Sequence, residues 1–229
     1  MIRAYDETYL VHSSRVLGWM LDSAVNLFRQ DAAGFWRVFI STGYADRFGK
    51  GESRLLAGMT GYELACTVLD AAQVKYNQAQ PTEITDLSQE YWAGWAIAHY
   101  QWQTALSFAE IESFAPIVEV IACYSPYHEM DISKFCEHLD DLYRTAHPGS
   151  RLKETRERRG MTQGELSVAS NIPLRMIQHY EQRTKNLGKA SFDTVYRLAQ
   201  ALRVPPHCIV EPQVRESDFH AGDLPVPYV

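Results

Sequence analysis

From Leu10 to Phe28, the residues Leu10, Ser14, Leu17, Leu21, Ala24 and Phe28 recur in steps of four and three, the spacing of one face of an α-helix. That rhythm returns along most of the chain and makes the expected fold class all-α. Phe35, Trp36, Val38, Phe39 and Ile40 form a short, dense apolar segment that predicts another helix. Thr60 and Glu63 make a T-x-x-E capping box ahead of Leu64, Val68 and Leu69. Ser88 opens a long helix through Tyr91, Trp92, Trp95, Ile97, Ala98, Trp102 and Leu106. Asp131 to Tyr143 predicts a further helix with Ile132, Phe135, Leu139 and Leu142 inward. Ile117, Val118, Val120 and Ile121 fit a helix or a buried strand, because periodicity does not arbitrate so short a run.

The 229 residues are 46% hydrophobic and 22% charged, the composition of a folded protein. No apolar run approaches the roughly 18 residues of a membrane span. The first residues, Met1 to Glu7, lack the basic-then-apolar pattern of a secretion signal. The scattered cysteines Cys66, Cys123, Cys136 and Cys208 form no disulfide framework and are expected as reduced thiols in a cytoplasm. The net charge of -6 hides an asymmetry: residues 1–149 carry 10 Lys and Arg against 19 Asp and Glu, whereas residues 150–212 carry 11 against 6. A basic module on an acidic body implies a polyanionic partner for the module alone.

The boundary falls at Thr145–Ser150. Pro148 disfavours helical geometry at His147, Gly149 permits a turn, and Ser150 is a good N-cap. The expected organisation is therefore an acidic helical domain at 1–147, a basic module at 150–212 and an extended tail at 213–229, in which Phe219 and Tyr228 are candidate anchors for a partner.

Within the module, Leu152–Arg159 reads as a short basic helix ended by Gly160, and Thr162 caps a second one with Glu165 three residues on. Asn171 suits a left-handed turn, and Pro173 fits the opening of a third helix, Leu174–Glu181. At 100° per residue Met176, Ile177 and Tyr180 face one way. Leu174, Arg175, Gln178 and His179 span an arc of about 140° on the other side. A short helix presenting Arg, Gln and His outward can enter the DNA major groove, where Arg pairs with guanine and Gln with adenine. Arg183, Lys185 and Lys189 lack base-reading geometry and are expected on phosphates. Ser191 caps a further helix whose Phe192, Val195, Leu198, Ala199 and Leu202 are expected to close the core, with Ile209 sealing its end. The alternative for this module is a helical scaffold or protein-binding domain without DNA affinity.

Thr162-Gln163-x-Glu165-Leu166, Asn171-Ile172-Pro173-Leu174-Arg175-x-Ile177-Gln178-x-Tyr180-Glu181 and Leu198-Ala199-x-Ala201-Leu202-x-Val204 resemble the Cro/C1-type (Xre-family) helix-turn-helix domain. The resemblance implies a five-helix, lambda-repressor-like fold that binds operator double-stranded DNA, usually as a dimer. It also implies that Gln163 touches the backbone or a base edge, that Arg175 and His179 read bases, and that Leu174 is available to a thymine methyl. Gly164 departs from the helix-former usual there, and Arg183 stands where a glycine is common.

The acidic body offers weaker signals. Cys123, His128, Cys136 and His138 match no common zinc spacing, and Cys136 and His138 on one helix would point about 200° apart, so no metal site is expected. The aromatic residues of the Ser88 helix fall on several faces and read as core rather than as a ligand platform. His12 and His99 read as structural histidines, and Asp140-Asp141 as a solvated face. No nucleophile elbow, phosphate loop, zinc-protease or dinucleotide motif is present, so neither catalysis nor a cofactor is expected. Glu90–Ala96 with Tyr100–Trp102, and Tyr127–Phe135, resemble uncharacterised helical domains joined to such modules in anaerobic bacteria. Some of those relatives sit in toxin–antitoxin-like gene pairs. The expected function is a cytoplasmic, dimeric transcriptional repressor. The alternative is an antitoxin whose acidic domain neutralises a toxin partner while the module autoregulates the operon.

Overall fold

The computed structural model describes residues 3–77 and 87–211. All regular elements among them are helical, and none of the helices is long and apolar enough to cross a membrane. The chain divides into two compact units, the first spanning 3–143 and the second beginning at Arg144. The expected tail at 213–229, with Phe219 and Tyr228, lies outside the described residues.

In the first unit α1 (Leu10–Asp22) continues into a π-helical turn, Ser23–Leu27. The face predicted from Leu10, Ser14, Leu17, Leu21, Ala24 and Phe28 is buried along its whole length. Then follow α2 (Ala32–Ser41), α3 (Tyr44–Gly49), α4 (Ser53–Ala57) and α5 (Gly61–Ala71). Asp31 caps α2 by accepting from the Gly34 N–H, and Thr60 and Glu63 form the expected capping box on α5. The next helix, α6 (Gln89–Thr104), is the centre of the unit: every residue from Glu90 to Thr104 is buried. Its aromatic residues are therefore core. Trp92 packs edge-on against Phe135, with ring centroids 5.1 Å apart.

Close packing of α1 on α6 is set by missing side chains. A Cβ on Gly94 would lie 2.6 Å from the Leu17 carbonyl oxygen, and one on Gly18 would lie 2.8 Å from that of Tyr91. Gly61 plays the same part for α5, where a Cβ would overlap the Val16 carbonyl. A polar clasp fixes the far end of this contact. The Asn26 amide donates to Asp22 Oδ1 (2.9 Å) and Glu90 Oε2 (3.0 Å), and the Ser88 hydroxyl, which caps α6, donates to Asp22. The π-helical turn carries Asn26 on the segment facing both carboxylates.

The unit is completed by α7 (Phe108–Phe114), α8 (Ile117–Ala122), the short α9 (Tyr124–Tyr127) and α10 (Ile132–Ala146). The ambiguous run at Ile117 is helical, with Ile117 and Val120 buried and Val118 exposed. The Tyr100 hydroxyl of α6 donates to Asp140 Oδ1 of α10 at 2.9 Å; burial, and then the adjacent carboxylate, push its pKa far above the usual tyrosine range.

The second unit has its own apolar core, built from Leu152, Leu166, Ile172, Ile177, Tyr180, Leu187, Val195, Leu198, Ala199, Leu202 and Ile209. It consists of α11 (Arg151–Arg158), α12 (Gln163–Ser170), α13 (Leu174–Glu181), a 3₁₀ turn at Leu187–Lys189, α14 (Phe192–Leu202) and a closing 3₁₀ turn at Pro206–Cys208. The fifth helix implied by the resemblance is this last turn. Ile209 seals the end, as expected. Phe192 corrects an expectation: it is 76% exposed rather than part of the core. The inward face of α14 is centred on Val195, Leu198, Ala199 and Leu202, and Phe192 lies about 70° off that centre, in the first turn. There it stacks on Tyr196, with centroids 5.8 Å apart.

Candidate nucleic-acid interface

The site is built on the pair α12–α13. Thr162 and Glu165 form a complete capping box that fixes the start of α12, and the Thr162 N–H, then its hydroxyl, hold the Glu165 carboxyl below the usual range. Asn171 ends α12 in the left-handed region (φ 52, ψ 37), as its side chain tolerates. Ser167 Oγ donates to the Ile172 carbonyl at 2.7 Å, closing the turn. Pro173 occupies the cap position of α13, so its missing N–H leaves no hydrogen bond unmade.

On α13, Ile177, Tyr180 and Glu181 are buried and Met176 is half-buried, which sets the rotation of the helix. Leu174 (41% exposed) and Arg175 stand out from the surface, with Gln178 and His179 half-buried beside them. These four predicted residues share one face. His179 Nδ1 lies 2.9 Å from Thr184 Oγ1, which in turn donates to the His179 carbonyl, so the ring is held rather than swinging. Lys185 Nζ sits 3.7 Å from the Met176 sulfur, which brings a cation to the flank of α13. Lys189 is exposed on its 3₁₀ turn.

Two predicted residues are placed differently from the rest. The guanidinium of Arg183 donates to the Gly149 carbonyl at 2.8 Å and pairs with Glu211 at 3.4 Å. Arg183 also adopts φ 56, the left-handed geometry for which glycine is common there. Gln163 is partly buried, and its amide donates to Glu181 Oε2 at 2.8 Å.

Glu181 is the centre of a network that the sequence did not reveal. Arg156 of α11 donates to it through Nε (2.6 Å) and Nη2 (2.9 Å), and Arg156 Nη1 donates to the Met161 carbonyl (2.7 Å). Hydrogen bonding to Glu181 pushes the Arg156 pKa further up, as expected for a charge-assisted, two-pronged contact. One carboxylate thus joins α11, the first residue of α12 and the last of α13, and fixes the angle at which α13 is presented. The partners are 25 residues apart, beyond any local spacing rule; two charged residues on otherwise inward faces were the only available signal.

Elsewhere, a shallow depression of about 400 Å³ on α4–α5 is lined by residues including Tyr62, Glu63 and Cys66. Its carboxylate is already committed to the Thr60 cap. Among the described residues no group of three or more His, Cys, Asp or Glu could hold a metal ion.

A short helix held across another by a tight turn, on a basic unit, is the architecture of a DNA-binding module. Residues 152–207 match the family model described as helix-turn-helix, and the second unit is a helix-turn-helix domain of the Cro/C1 type. No curated protein and no solved structure matches the chain. The resemblance drawn for segments of the first unit has no match behind it.

Proposed function

We propose that the chain is a sequence-specific, dimeric DNA-binding repressor. The observation that carries this reading is the outward face of α13, where Leu174, Arg175, Gln178 and His179 stand together on a helix whose rotation is fixed by buried Ile177, Tyr180 and Glu181. Arg175 and Gln178 read base edges in the major groove, Leu174 meets a thymine methyl, and His179 supports them from its contact with Thr184. Lys185 and Lys189 neutralise phosphates. Gln163, anchored on Glu181, meets the backbone at the start of α12, whereas Arg183 is given a structural role by its bonds to Gly149 and Glu211. The excess of acids over cations in residues 1–149 disfavours contact of that part with phosphates. The same acidity supports a second role for it, occlusion of a basic partner protein as an antitoxin does, which co-purification of a second chain from the native host would reveal.

The test is fluorescence anisotropy on DNA from the protein's own promoter and on scrambled DNA, across a salt series. Arg175→Ala is expected to cost about 1–3 kcal/mol on promoter DNA and much less on scrambled DNA. Equal binding to both DNAs, unaffected by Arg175→Ala, would refute the reading.

A further inference from the structure

The first turns of α14 carry a surface that the core does not use. Phe192 and Tyr196 (48% exposed) are one helical turn apart and stack into a single apolar plate. The adjoining row is charged, and its two charges are opposite: Asp193 and Arg197 lie one turn apart, 3.3 Å from each other. Exposed large aromatic residues beside an acid and a base in matched register form a surface complementary to itself.

We propose that this face of α14 is a contact between two copies of the chain, formed by antiparallel packing of α14 on its counterpart about a two-fold axis. A two-fold contact brings residue i of one copy to residue j of the other, and j to i. In an antiparallel pair the same flank of each helix faces the other, so Asp193 meets the counterpart's Arg197 at both ends while the aromatic plates stack between them. A parallel pairing would set the charged row against the opposite flank and leave it without partners. The contact is small. Two aromatic side chains bury at most about 150–250 Å² each, against about 800 Å² per partner in a standard interface. It is therefore weak in solution and strengthens when DNA holds two copies side by side. Chain order supports that setting, because Phe192 follows the turn that carries Lys189 by three residues. The inference deepens the dimeric reading given above and rests on it.

The test is photo-crosslinking of the purified full-length chain with p-benzoylphenylalanine in place of Tyr196, which keeps an aromatic ring in the plate and reports on this contact alone. At about 100 µM a covalent dimer is expected, with a yield at least about fivefold lower for Asp193→Arg or Arg197→Asp, because each reversal sets like charges together at both ends. Mixing the two single variants, or combining both substitutions in one chain, restores the yield. Absence of a covalent dimer, indifference to the single reversals, or failure of the mixture to recover would each overturn the proposal. Anisotropy on promoter DNA with the same preparations separates the two readings. A crosslink that behaves as described in a protein without promoter selectivity sinks the repressor reading and leaves this contact standing; promoter selectivity without the crosslink does the reverse.

Discussion

Replacing Glu181 with leucine removes the acidic half of the network that joins α11, α12 and α13. An exposed ion pair contributes about 0–1 kcal/mol. Here the side chains of Arg156 and Glu181 are only 9% and 2% exposed, so water cannot re-solvate whichever charge is left behind. Stranding the Arg156 guanidinium with only the Met161 carbonyl and the rim acid Glu157 costs about 3–5 kcal/mol. In a domain of this size each kcal/mol shifts the melting temperature by about 4–8 °C, so a loss of more than about 12 °C is expected. Arg156→Met should cost a similar amount. The double variant Arg156→Met/Glu181→Leu should recover most of the loss, because apolar side chains of comparable volume replace both charges. The two units can be followed separately. All five tryptophans lie in the first unit, so tryptophan fluorescence follows that unit, whereas far-UV circular dichroism follows both. Each single variant should bring forward a loss of ellipticity that fluorescence does not share. Single-variant costs below about 1 kcal/mol, or a double variant that merely adds them, would refute the reasoning.

Gly94→Ala forces a Cβ against the Leu17 backbone and should destabilise the first unit by about 1–3 kcal/mol, seen in the fluorescence melt. Gly164→Ala should do the opposite in the second unit: a Cβ there meets only Thr162 Oγ1, at 3.9 Å, and the gain in helix propensity is about 0.5–1 kcal/mol by circular dichroism. The carboxyls of Glu63 and Glu165 are held below the ordinary glutamate value of 4.5 by the Thr60 and Thr162 N–H groups and then hydroxyls. Their contribution to stability is therefore fully present above pH 4.5 and is lost as the pH falls through their folded values; Glu165→Gln should flatten that acid limb in a pH series of melts. Lys189→Ala should weaken promoter and scrambled DNA alike and lower the salt slope by about one, as read by anisotropy.

Features encoded within three or four residues are legible in the sequence. The T-x-x-E spacing of Thr60 and Thr162 marks both helix starts because a capping box is a local contact, and Asn171 marks its turn because few residues tolerate left-handed geometry. The division of α13 into an apolar and a polar face follows from 100° per residue alone. Ser107 and Glu110 form a third capping box that the same spacing would have found. What the sequence hid is tertiary. Gln163 looks like a surface residue, and Arg156 a charge without a partner, until Glu181 arrives from another helix, and Arg183 counts as a free cation until Gly149 and Glu211 occupy it. Phe192 misled because periodicity gives direction but not where the core ends. The run at Ile117 could not be assigned because five residues hold less than two helical turns.

Helix α6 has a consequence for how its orientation is encoded. A helix with one wet side is turned the right way by water, but α6 has no wet side from Glu90 to Thr104, so solvent cannot tell one rotation from another. Size does so instead, together with a few directional bonds such as that of Tyr100 to Asp140. Ala93, Gly94, Ala96 and Ala98 are recesses between the projections Tyr91, Trp92, Trp95, Tyr100 and Trp102, and the neighbouring helices fit that relief as a lock fits a key. Exchanging Gly94 and Trp95 would leave composition and hydropathy unchanged and yet remove the recess into which α1 fits.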